Sequence, residues 1–191
     1  MCFLSSGNFG FALASSNAAM PAIRYQLDWP DDKVDLYTTI VSSSSVAGIA
    51  FGSVIGGVLI ANGRKRMVAL FDVVGMVGCG LSVVSNMYVL CLGRFVYGFA
   101  AGVFVCASSK VIDETVPGHL LDNGFSISTN LSISVYITIS MVLGWFVPDS
   151  TDELETTQMW RVVYLAPIPL LLIALLMNLT HKGDSLMFHV H

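Results

Sequence analysis

The chain has 191 residues, 54% of them hydrophobic and only 12% charged, with a mean hydropathy of +0.73. A soluble domain carries about twice that share of charge, so these side chains face hydrocarbon as well as one another. A formal net charge of −4 with no basic face excludes a nucleic-acid partner, and the four cysteines sit singly inside apolar runs, forming neither a disulfide frame nor a metal site.

Apolar runs lie at about 2–23, 37–61, 67–86, 88–109, 124–147 and 161–179. Each is close to the roughly 20 residues needed to cross a ~30 Å hydrocarbon core. They predict an all-α membrane protein, a single bundle of six transmembrane helices over 1–180 with a short tail at 181–191. The first run contains Ala12-Leu13-Ala14, the small-x-small form of a leader cleavage site. It lacks a basic start and is too long for a leader core, so it reads as a span.

Span 1 carries Ser5, Ser6, Asn8, Ser15, Ser16 and Asn17, which predicts a helix facing a bundle interior or cavity. An acidic loop follows, with Asp28, Asp31, Asp32 and Asp35 against Arg24 and Lys33. In span 2, Gly48, Gly52 and Gly56 recur every four residues and bare one helix face, so that a second backbone can approach closely. The span stops at Arg64, Lys65 and Arg66, a cytoplasmic anchor. Span 3 holds Asp72, and span 4 holds Arg94 about six residues inside, with Gly98 and Gly102 again four apart. Span 5 alternates as F-S-I-S-T-N-L-S-I-S, a strand period in water. In lipid a lone strand leaves its ladder unpaired, so helix is expected. Trp160-Arg161 opens span 6.

Placing Arg64–Arg66 inside also places Lys110 and Lys182 inside, and leaves Arg24, Lys33 and Arg161 outside with eight of the thirteen carboxylates. Both termini are then expected on the cytoplasmic side.

These residues resemble the major facilitator superfamily, and within it the sugar porters, which include the facilitative glucose transporters. The loop after span 2, Gly56 to Lys65 (G-G-V-L-I-A-N-G-R-K), resembles the family's G-x-x-x-D/N-R-x-G-R-R/K. Gly93-Arg94 and Glu114-Thr115-Val116-Pro117 resemble the G-R and E-x-x-P that open and close its span 4. Phe9-Gly10-Phe11-Ala12 followed by Asn17, Asn130-Leu131 in span 5, and Trp160-Arg161 match in the same order. The resemblance covers nearly the whole chain but only the N-terminal half of a twelve-span transporter. Four features depart from it, one of them Asp122-Asn123-Gly124 where the family opens span 5 with Arg-Gly. The loop acid is missing from Ile60-Ala61-Asn62, Ala12 stands where proton-coupled relatives have an Asp, and P-E-S-P-R is absent after span 6.

The resemblance implies that Arg64 and Lys65 form an inner gate with Glu114, although three cations serve as a topology anchor in any case. Arg94 inside span 4 costs about 2.5–3.5 kcal/mol unless paired or wet, so it faces the bundle or a vestibule, or snorkels outward. Asp72 is expected to attract Arg64 or Lys65 from below, in place of the missing loop acid, and to lie too deep to pair with Arg94. Asn17, Asn130, Thr129 and Ser126, with Ser132 and Ser140, offer an uncharged wall that suits a polyol. Alternatively, these hydroxyls bond their own backbone or a neighbouring helix.

No H-E-x-x-H, paired intramembrane acids or nucleophile–base set is present, so neither an enzyme nor a cofactor is expected, and His189 and His191 are too sparse for a metal. The expected function is passage of a small polar solute, a sugar on the family's precedent, across a lipid bilayer by alternating access. That mechanism needs a second transporter half or self-association to complete the cavity. The alternative is a non-transporting structural subunit of a larger membrane complex.

Overall fold

The computed structural model describes residues 2–27, 29–59, 64–115, 127–147 and 158–180. They form α1 (Cys2–Gln26), a short 3₁₀ turn (Asp31–Lys33), α2 (Val34–Leu59), α3 (Arg64–Leu81), α4 (Met87–Thr115), α5 (Ile127–Trp145), α6 (Met159–Leu165) and α7 (Pro167–Thr180). The last two make one nearly continuous rod. Ala166 still donates to the Val162 carbonyl, and Pro167, which has no N–H to give, opens the second segment.

Among the described residues, α2, the Met87–Ile112 part of α4, α5 and the Met159–Thr180 rod are long and apolar enough to cross a membrane. The segments α1 and α3 are helical too but more polar. One carries the serines and Asn8, the other three cations at its start and Asp72 in its middle. The strand-like alternation of span 5 is indeed wound as a helix. Ser134 and Thr138 donate to the carbonyls of Asn130 and Ser134, each at 3.0 Å, satisfying their hydroxyls within α5.

The glycines set the architecture. A Cβ on Gly48 or Gly52 would overlap the carbonyl oxygens of Phe95 or Phe99 on α4, and one on Gly98 or Gly102 would overlap those of Ser45 or Ile49 on α2. The two bared faces therefore interlock backbone to backbone, at an approach only glycine allows. Lys110 adds a bond at the far end, its Nζ donating to the Gly57 carbonyl at 3.1 Å. On α3, Gly78 lies against Tyr97 and Gly75 beside Ala100 and Leu171, which sets α3 antiparallel to α4 and brings α7 alongside it. Helices α1 and α5 run parallel, with Gly10 against Ile133 and Gly144 against Ala18.

α1 and α4 form the middle of the bundle. One apolar cluster joins Ala12, Ile49, Phe71, Tyr97, Phe104 and Leu171, and a second joins Ile23, Trp29, Val41, Leu90 and Trp160. The outer surface stays apolar, with Val54, Val58 and Trp145 all exposed. Such a surface is untenable in water and ordinary in lipid.

Gly52→Val puts two methyls into the Phe99 backbone and should cost about 1–3 kcal/mol, lowering the detergent melting temperature or the folded yield. Gly57→Ala, where an added Cβ meets nothing within 4 Å, should leave both unchanged.

Candidate functional site

Arg94 lies 1% exposed at the crossing of α1, α2, α4 and α6. It does not snorkel, and among the described residues it meets no acid. Its Nη1 donates to Ser15 Oγ at 2.9 Å, and its Nη2 to the Ala12 carbonyl at 2.6 Å. Nη2 also donates to Ser16 Oγ and, at 3.4 Å, to Ser45 Oγ on α2. The Cζ stands 5.0 Å from the centre of the Tyr164 ring on α6, a cation–π contact. Four neutral acceptors and a ring face thus solvate one intramembrane charge. A guanidinium suits this task because its five N–H groups point in fixed, separate directions.

The local sequence makes this possible. Ala12, Ser15, Ser16 and Ala19 recur at helical spacing, so α1 turns one small, polar stripe toward α4, and the hydroxyls reach the guanidinium without steric conflict. Asn8 continues the stripe one turn lower and accepts from the Tyr97 hydroxyl, 3.2 Å to its Oδ1. Gly98, one turn below Arg94, lets the α2 backbone close in at Ser45, which carries that hydroxyl into reach.

The other expected residues are scattered. Asn17 and Asn130 are exposed on α1 and α5, and Thr129 is half-buried beside Asn130, so these three do not join the buried cluster. Ser126 lies outside the described residues, as do the side chains of Arg64, Lys65 and Glu114. Ser132 and Ser140 lie not with Asn130 but on the opposite, buried face of α5, where Ser132 donates to the Phe3 carbonyl of α1. Asp72 is fully buried, and neither carboxylate oxygen has a hydrogen-bond partner. The contacts of Gly75 and Gly78 fix the α3–α4 register. By that register Asp72 lies about 13 Å below the level at which Arg94 faces α3, at ~1.5 Å per residue.

This bundle has a known pattern. The profile of the Major Facilitator Superfamily matches residues 2–184. The chain belongs to the Major Facilitator Superfamily. Its relatives include D-xylose-proton symporter-like 2 of Arabidopsis thaliana, 27% identical over 136 residues, 70% of this chain and 26% of the relative. Hexose transporter 1 of Toxoplasma gondii is 25% identical over 190 residues, 90% of this chain and 33% of the relative. The sialic acid transporter NanX of Escherichia coli is 29% identical over 128 residues, 59% of this chain and 31% of the relative. Among solved structures, the proton:xylose symporter XylE bound to 6-bromo-6-deoxy-D-glucose superposes with a TM-score of 0.83 at 15% identity. That match covers 96% of this chain and 44% of XylE. An inward-open XylE from E. coli superposes with a TM-score of 0.81 at 16% identity, over 97% of this chain and 48% of that one. This superfamily chain is an integral membrane protein, and it spans about a quarter to a third of the length of these curated relatives.

Sequence reasoning missed that Arg94, Ser15, Ser16 and Ser45 form one cluster in this superfamily bundle, and that Tyr164 stacks on it. The α1 stripe was a usable signal, since Ser5, Ser6, Asn8, Ser15 and Ser16 are all buried as expected and only Asn17 is not. Asn17 follows Ser16 by a turn of about 100°, which takes it off the stripe. Tyr164 carried no such signal, because nothing in the sequence aligns α6 with α4.

Ser15→Ala with Ser16→Ala strands two guanidinium N–H groups in a dry site, and each should cost about 1–3 kcal/mol. A clearly lowered melting temperature of the double variant in detergent is expected, whereas Ser134→Ala should be silent.

Proposed function

We propose that this chain forms one six-span half of a carrier that moves a small polar solute, of the sugar or polyol class, by alternating access. The observation that carries the reading is the fold. The described helices superpose on the sugar-bound xylose symporter over 96% of this chain, and the curated relatives are named as xylose, hexose, inositol and sialic acid transporters. The chain spans under half of XylE, and a midplane site needs two halves rocking about it, so a second half or a second copy completes the cavity.

Within that reading, Asn17, Asn130, Thr129 and Ser126 supply an uncharged hydrogen-bonding wall. Exposure of Asn17 and Asn130 supports it, because groups spent on internal packing have nothing left for a solute. Ala12, at the place where the resemblance puts a proton-carrying acid, supports passage without proton coupling at that position. Arg64, Lys65 and Glu114 act at the inner gate. Each contact there is worth about 1 kcal/mol, enough to bias a two-state equilibrium without locking it. Among the described residues Asp72 has no hydrogen-bond partner, which leaves its carboxylate to attract Arg64 or Lys65 from below. Both termini lie on the cytoplasmic side, following the cations at 64–66.

The test is uptake of labelled xylose, glucose and myo-inositol into liposomes holding the chain together with whatever membrane chains co-purify under mild solubilisation. Saturable uptake of at least one supports the carrier. Its absence from an intact assembly of many other chains overturns it in favour of a non-transporting subunit.

Asn130→Ala and Asn17→Ala should each raise the apparent KM for the transported solute by about tenfold, the equivalent of one lost hydrogen bond of ~1.4 kcal/mol. Because both side chains are exposed, the melting temperature should stay within error of the parent.

A further inference from the structure

The arginine cluster leaves something over. The Nε of Arg94 is buried and has no hydrogen-bond partner, and the same is true of the Tyr164 hydroxyl, although both residues are at most 2% exposed. Both line one crevice, with apolar walls from Phe11, Tyr97 and Pro167. Its other hydroxyls are spent. Ser82 Oγ donates to the Gly78 carbonyl at 2.8 Å, Tyr97 donates to Asn8, and Ser15 accepts from Arg94 itself. Every acceptor on the guanidinium is neutral. The crevice therefore presents one formal positive charge and two orphan donors, with no acid among the residues that line it. Orphan donors of this kind cost about 1–3 kcal/mol each while unmet, more when charged.

We propose that this crevice is an anion site, and that its ligand is a carboxylate group bridging the Arg94 Nε–H and the Tyr164 O–H. A carboxylate has two acceptor oxygens and one negative charge, which matches two separate donors and one guanidinium. The Arg94 guanidinium carbon stands 5.0 Å from the centre of the Tyr164 ring, so the two donor-bearing groups are neighbours in the one crevice. A halide meets two divergent donors with a single centre and fits less well. The crevice has no free water-sized space in this conformation, so uptake goes with a local opening between α1 and α6. The carboxylate has two possible sources, a free small acid or the acid group of a sugar acid. The site is distinct from the outward amides Asn17 and Asn130, and the proposal does not rest on transport.

The experiment is thermal unfolding of the full chain in detergent at constant ionic strength, with methanesulfonate as the background anion. Formate, glucuronate, chloride and neutral glucose are titrated separately. A saturable rise in melting temperature with formate and glucuronate, and none with glucose, supports the site. A rise with glucuronate alone identifies a sugar acid as the source, and a rise with formate alone a small free acid. Tyr164→Phe keeps the ring under Arg94 and removes one donor, so it should weaken carboxylate binding by about tenfold. The proposal is overturned if neither carboxylate shifts the transition, if chloride acts as strongly as formate, or if a folded Tyr164→Phe responds like the parent. Should that variant not fold, the anion comparison on the parent chain still decides.

Discussion

A fixed positive charge inside the hydrocarbon layer must be solvated by protein, and Arg94 imposes that constraint on the rest of this bundle. Among the described residues no carboxylate reaches it, so the solvation comes from dipoles that have to be assembled from several helices. α1 supplies two hydroxyls and a carbonyl, α2 a third hydroxyl, and α6 an aromatic face. Each contribution demands a close approach. The Gly98 contact with the Ser45 backbone puts the α2 hydroxyl within reach, and the reciprocal glycines at 48 and 52 hold that approach along the helix. The glycine interlock and the arginine cluster are thus one device, in which backbone proximity lets weak neutral dipoles act together on a single ion.

That dependence explains which parts of the fold were legible in the sequence. Glycines four apart are a direct statement about a helix face, and both such faces, on α2 and α4, pack as their spacing predicted. The α1 serine stripe is legible for the same reason, since burial follows from a 3.6-residue period. Span 5 was legible only through the bilayer. Its alternation argues for a strand, and the need to satisfy every backbone group within the segment decides for a helix.

What stayed illegible concerns the relative rotation of helices distant in sequence. The hydroxyls of span 5 read as one polar wall, yet Ser132 and Ser140 are buried while Asn130 is exposed, because a helix distributes a period-two pattern around its whole circumference. Tyr164 looked like any aromatic residue near a span's outer end. Its position over Arg94 is set by the packing of the α6–α7 rod on α1 and α3, which one sequence does not encode locally. Asp72 shows the same limit from the other side. Its charge is plain in the sequence, but its lack of any hydrogen-bond partner is visible only once α3, α4 and α7 are in place.

The polar groups consequently divide into two populations separated by α1. Ser15 and Ser16 face inward and are bound to a cation, whereas Asn17, one residue on, is exposed. Adjacent residues on one rigid helix cannot move independently. Any rotation of α1 that re-aims Asn17 must stretch or remake the bonds to Arg94, a set of neutral contacts each weaker than an ion pair. An aspartate at position 12 would have tied α1 to α4 with a charge pair and a titratable proton. With alanine there, the tie is a shallow, uncharged well. A helix held that way can rock at modest cost, and the tie itself takes up no proton.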